Sequence, residues 1–83
     1  MRNPLVFIVG HHAYQGRNRQ AVVSGHVAAL SEMMRRGVNM RDAQKALKNA
    51  RAGSHATASV YKRFPDGYRC AIDTVEVVAS RSY

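Results

Sequence analysis

Leu5, Val6, Phe7, Ile8 and Val9 form an unbroken apolar run between Pro4 and Gly10. A short β-favouring run without polar alternation predicts a central strand covered on both faces. A polar connector follows over residues 10–18 (GHHAYQGRN). From about Arg19 to Arg36 the apolar residues Val23, Val27, Leu30 and Met34 recur at helical spacing, which predicts an amphipathic helix. Gly37 is placed to end it. Asn39, with Asp42 three residues on, is placed to cap a second helix, so the two helices must cross at a tight corner. In that second helix Met40, Ala43, Ala46, Leu47 and Ala50 fall on one side, while Arg41, Lys45 and Lys48 stack on the other.

Gly53 and Ser54 break the helical pattern, and the remainder reads as a hairpin with strands near 56–64 and 68–78. Phe64-Pro65-Asp66-Gly67 suits a type I turn followed by a left-handed glycine and a bulge, which pairs Phe64 with Tyr68. Unbroken alternation from that pair puts Ala58, Val60 and Phe64 on one face with Cys70, Ile72 and Thr74. It turns Tyr61, Arg63, Arg69, Asp73 and Val75 to the other. The expected fold is one small α+β domain over residues 1–83, in the order β-α-α-β-β, with a three-stranded, mostly antiparallel sheet and two helices on one face. The Leu5–Val9 strand together with outward Val75 and Val77 leaves more apolar sheet than two short helices cover, which suggests a homodimer through the open face.

Charge changes the picture more than size does. The chain has 83 residues, 46% of them apolar, and carries 13 Lys and Arg against 5 Asp and Glu, a formal charge of +8. A domain this small is short for an enzyme with a deep cleft. Such an excess of cations makes a polyanion the leading partner class, because each cation set beside a phosphate releases a counterion. The apolar run Leu5–Val9 is far below the roughly 20 residues that cross a bilayer, so no membrane is expected. A single cysteine, Cys70, forms no intramolecular disulfide, and a reducing, cytoplasmic setting follows.

The candidate binding residues are Arg41, Gln44, Lys45, Lys48 and Arg51 on the second helix, with Arg35 and Arg36 before it. Lys62, Arg63 and Arg69 at the hairpin tip support them. Arg63 and Arg69 face each other across the strands, a repulsion that a bound anion would relieve. Arg17 and Arg19 in the connector, with nearby backbone N–H groups, are placed to hold one backbone phosphate. His11, His12, His26 and His55 share no metal-ligand spacing, and the carboxylates are scattered. No metal, cofactor or catalytic residue is therefore assigned, and the chain is read as a non-enzyme. Only Tyr61 among the tyrosines is expected to stand outward beside basic neighbours, which favours duplex or structured backbone over base stacking.

Residues 33–47 (MMRRGVNMRDAQKAL) resemble the helix, glycine corner and second helix of a helix-turn-helix, with Gly37 in the turn and Ala43 and Leu47 packing inward. That resemblance implies Arg41, Gln44, Lys45 and Lys48 as the groove-facing residues, and the basic hairpin is similar to a wing. The chain departs from winged domains in having a strand and one long helix where three helices are usual. The element order is also similar to type I KH domains, but the corner reads Gly37-Val38-Asn39-Met40 where a GxxG loop is needed. The expected function is a small binding module for nucleic acid or a nucleoprotein complex. The rival is a small inhibitor or adaptor that meets an acidic protein surface, such as a phage-type antagonist of a host nucleic-acid machine: an anti-CRISPR-like protein or a polymerase or nuclease inhibitor.

Overall fold

The computed structural model describes residues 5–11 and 19–80. Along the chain run β1 (Val6–His11), β2 (Ala21–Ser24), α1 (His26–Arg35), α2 (Met40–Gly53), β3 (His55–Arg63) and β4 (Arg69–Ser80). The strands form one antiparallel sheet in the order β2-β1-β4-β3. Both helices lie on one face, α1 against β1 and β2, α2 against β3 and β4. The α+β class and the two helices agree with the pattern. The sheet has four strands rather than three, and the order is β-β-α-α-β-β.

The extra strand comes from residues assigned to the first helix. Ala21-Val22-Val23-Ser24 is short and β-branched, which suits a pleated edge strand. It pairs with β1, Val23 opposite Phe7. Gly25, at φ 94°, then turns the chain into α1 and donates its N–H to the Leu5 carbonyl at 3.1 Å. Once Val23 belongs to a strand, the helical phase it had set no longer holds. The buried positions of α1 are Ala29 and Met33, with Leu30 packed beside them, whereas Val27 is 75% exposed and Met34 is also exposed.

The corner and α2 follow the pattern closely. Asn39 caps α2, its side chain accepting from the Asp42 N–H at 2.9 Å. Ala43, Ala46, Leu47 and Ala50 are buried, but Met40, at the first helical residue, is exposed, so the apolar stripe begins one turn later than expected. Three alanines on this stripe let the helix sit close to the sheet. At the corner Gly37 has φ 101°, and a Cβ there would meet Val60 Cγ1 at 2.9 Å. Glycine is required there by both its backbone angle and its closeness to β3.

The hairpin turn is as expected: the Phe64 carbonyl accepts from the Gly67 N–H at 2.9 Å and Phe64 N–H donates to the Tyr68 carbonyl at 2.8 Å. From there the pairing runs Arg63 with Arg69, Lys62 with Cys70 and Tyr61 with Ala71. A bulge then intervenes between Val60 and Tyr61, so that Val60 pairs with Asp73 and Ala58 with Val75, and Ile72 is the extra residue on β4. The expected faces reverse from that point. Val75 and Val77 are fully buried in the core with Phe7 and Val9, while Ile72 is 59% exposed. Val75 and Val77 therefore no longer support dimerisation through the open face. Cys70 is half-buried and reduced, not a core thiol.

The core ends at Val60 and Asp73. Beyond it every residue from Tyr61 to Arg69 is exposed, and the molecule is elongated at 53 × 27 × 19 Å. The distal hairpin is an arm leaving the body beside the helix corner. Among the described residues no helix is long and apolar enough to cross a membrane.

Candidate nucleic-acid interface

The cations on α2 divide by helical phase. At 100° per residue, Arg41 and Lys48 flank Lys45 on one side, and Asp42 and Asn49 on the other. Gln44 and Arg51 lie further round, beyond Arg41 and Lys48. All five of the expected α2 residues are exposed. The structure makes a ridge of Arg41, Lys45 and Lys48 and leaves Gln44 and Arg51 at its flank.

The Asp42 and Asn49 side of α2 forms a groove with β3. A recess of about 200 Å³ is bounded by Asp42, Lys45, Ala46 and Asn49 from the helix and by Thr57, Ala58, Ser59 and Tyr61 from the strand. It adjoins a second recess of about 140 Å³ at the root of the arm, lined by Gly37, Asn39, Ser59, Tyr61, Arg63 and Arg69. Ser59 and Tyr61 border both, so the two lie side by side along β3. Lys45 thus borders the recess next to that of Arg63 and Arg69, which the sequence placed on separate elements.

Cations and rings alternate on the arm. The Arg69 guanidinium lies over the Tyr61 ring at 4.6 Å and Lys62 Nζ over the Phe64 ring at 5.5 Å. Phe64 and Tyr68 are in tilted contact with centroids 6.0 Å apart. At the turn the Asp66 carboxylate accepts from the Tyr68 N–H at 3.0 Å. The facing arginines, Arg63 and Arg69, are paired across the strands as expected.

Each Asp and Glu side chain is engaged within the fold. Glu32 meets Arg36 Nε at 3.0 Å, Asp42 accepts from Asn39 Nδ2 at 2.9 Å, and Asp66 is tied to the turn. Asp73 contacts His11 Nδ1 at 2.5 Å, and Glu76 contacts His55 Nε2 at 2.7 Å. Arg36 is mostly buried by its bond to Glu32, and Arg35, highly exposed, lies 3.8 Å from the same carboxylate. Among the described residues Arg41, Lys45, Lys48, Arg51, Lys62, Arg63 and Arg69 have no carboxylate within ion-pair reach.

Arg19 is not part of this surface: it is exposed just before β2, at the opposite edge of the sheet from β3. Arg17 lies outside the described residues. His12 also lies outside them, and no group of three metal-ligating side chains occurs among those described. The contribution of Asn39, Asp42, Asn49, Thr57 and Ser59 to a groove is invisible in the sequence, because single polar residues on two elements carry no signal until the elements are docked. The two helices and their glycine corner are present, packed on a four-stranded sheet. No protein-family profile, curated protein or solved structure matches the chain.

Proposed function

We infer that this protein is a small, non-enzymatic binding module that engages the phosphate backbone of nucleic acid through the α2 ridge and the hairpin arm. The observation that carries this reading is the charge pattern: the Asp and Glu side chains are engaged internally, while seven lysines and arginines on α2 and the arm have no acidic partner among the described residues. Unpaired cations repel one another, and their crowding on α2 and the arm is relieved by a polyanion, which also gains counterion release. Lys45 joins the two halves, since it belongs to the ridge and borders the groove.

The test is the double substitution Lys45→Glu with Lys48→Glu, measured by binding to a labelled oligonucleotide over a series of salt concentrations. Affinity should fall for all sequences alike, and the logarithmic salt slope should flatten by about one for each phosphate no longer neutralised. A folded double variant with unchanged affinity would remove α2 from the interface. A salt slope near zero in the parent protein would overturn the phosphate-binding reading.

A further inference from the structure

We propose that the groove between α2 and β3 takes a single-stranded segment of nucleic acid, with a base stacked on Tyr61 and the adjoining phosphates held by Lys45 on one side and by Arg63 and Arg69 on the other. This rests on the nucleic-acid reading above and adds to it the strand state and the seat of a base.

A duplex presents its phosphates on a convex surface, whereas a single strand can lie in a recess. Here Arg63 and Arg69 line a recess of about 140 Å³ beside the helix corner, next to another of about 200 Å³ between α2 and β3. Both carry polar lining that suits the edge of a base. Tyr61 stands where the two recesses meet and is 45% exposed. Arg69 covers one face of the ring at 4.6 Å, so a base stacks on the opposite face or on the outer side of the guanidinium itself.

The lining chemistry points the same way. Asp42 borders the groove and would repel a phosphate, but a carboxylate accepts hydrogen bonds from the exocyclic amino groups of bases. Asn49, Thr57 and Ser59 add both donors and acceptors, the inventory that base edges need and a bare phosphate does not. Lys45 on the helix side and the two arginines at the arm root supply positive charge along the edges of that floor. Cations at the rim with an aromatic ring and hydrogen-bonding groups inside suit a single strand bound without readout of a duplex groove. On this proposal single strands are preferred to the duplex that the scarcity of outward tyrosines favours, because Tyr61 borders both recesses.

The experiment uses the full chain and fluorescence anisotropy with three probes of the same length, about a dozen nucleotides. They are an unstructured single-stranded DNA, an unstructured single-stranded RNA and a DNA duplex, compared at physiological salt. At least one single strand should bind tighter than the duplex. Tyr61→Ala should weaken that binding on the order of tenfold with the salt slope unchanged, since stacking releases no counterion. Tyr61→Phe keeps the ring and should bind like the parent, which separates the loss of stacking from a disturbed strand. If the duplex binds as tightly as both single strands and Tyr61→Ala changes nothing, the groove proposal falls while the phosphate-binding reading stands. If none of the three probes binds, both fall.

Discussion

His11 Nδ1 and a carboxylate oxygen of Asp73 lie 2.5 Å apart, with both side chains about one-fifth exposed. The pair joins the last residue of β1 to the β4 position beside the bulge, where the apolar core stops and the arm begins. Asp73 also accepts from the Thr74 N–H at 2.8 Å, so its carboxylate is held from two directions. Removing one partner takes one polar contact from the other, a loss of about 0.5–1.5 kcal/mol for a typical hydrogen bond. Asp73→Ala and His11→Ala should each lower the denaturation midpoint, and the double variant should lose less than their sum. Additive losses in a chemical-denaturation cycle would show that the pair contributes nothing.

The bulge reverses which side chains of β4 matter for stability. Val75→Ala should cost on the order of 1–3 kcal/mol, because Val75 is fully buried among Phe7, Val9 and Leu47 in the core cluster. Ile72→Ala should stay within about 0.5 kcal/mol despite removing a larger side chain. Urea titrations of the two variants decide the matter. A larger loss at Ile72 would restore the unbroken register.

Gly37→Ala should destabilise by roughly 1–3 kcal/mol through its positive φ and through the meeting of the new Cβ with Val60. Adding Val60→Ala removes the steric part but not the backbone part, so the double variant should remain less stable than Val60→Ala alone. Thermal melts of the three proteins separate these contributions.

Asn39→Ala should cost about 1 kcal/mol through removal of the cap on α2, and Asn39→Ser should recover most of it. Asn39 also lines the recess at the arm root. If it contacts ligand as well, the serine variant should regain stability without regaining full affinity, which paired melting and binding measurements would reveal.

The parts legible from the residues are those governed by local rules. The Asn39 cap, the Gly37 corner, the alanine stripe of α2 and the Phe64–Gly67 turn each depend on residues within a few positions, and each is present. The pattern misleads in two places where a non-local partner decides. Val22 and Val23 carry spacing compatible with a helix, but pairing with β1 at Ile8 and Phe7 takes them into the sheet. Val75 and Val77 lie two and four residues beyond Asp73 in a run whose faces the turn alone would fix, and the bulge at Ile72 alters the count. The basic residues are identifiable singly. Their convergence with Tyr61 depends on how α2 docks against β3, and the His11–Asp73 pair joins residues far apart in the chain.

Ile72 lets a single strand belong to two environments with opposite demands. On the body side the alternation of β4 is set by the core; on the arm side the same alternation is offset by one, so the two stretches need not share an inward face. Substitutions in the arm can thus alter ligand binding without changing which valines fill the interior. Removing that one residue would make Val60–Asp73 and Tyr61–Ala71 successive pairs, keeping Arg69 opposite Arg63 while taking away the bend and added twist that the bulge gives the root of the arm.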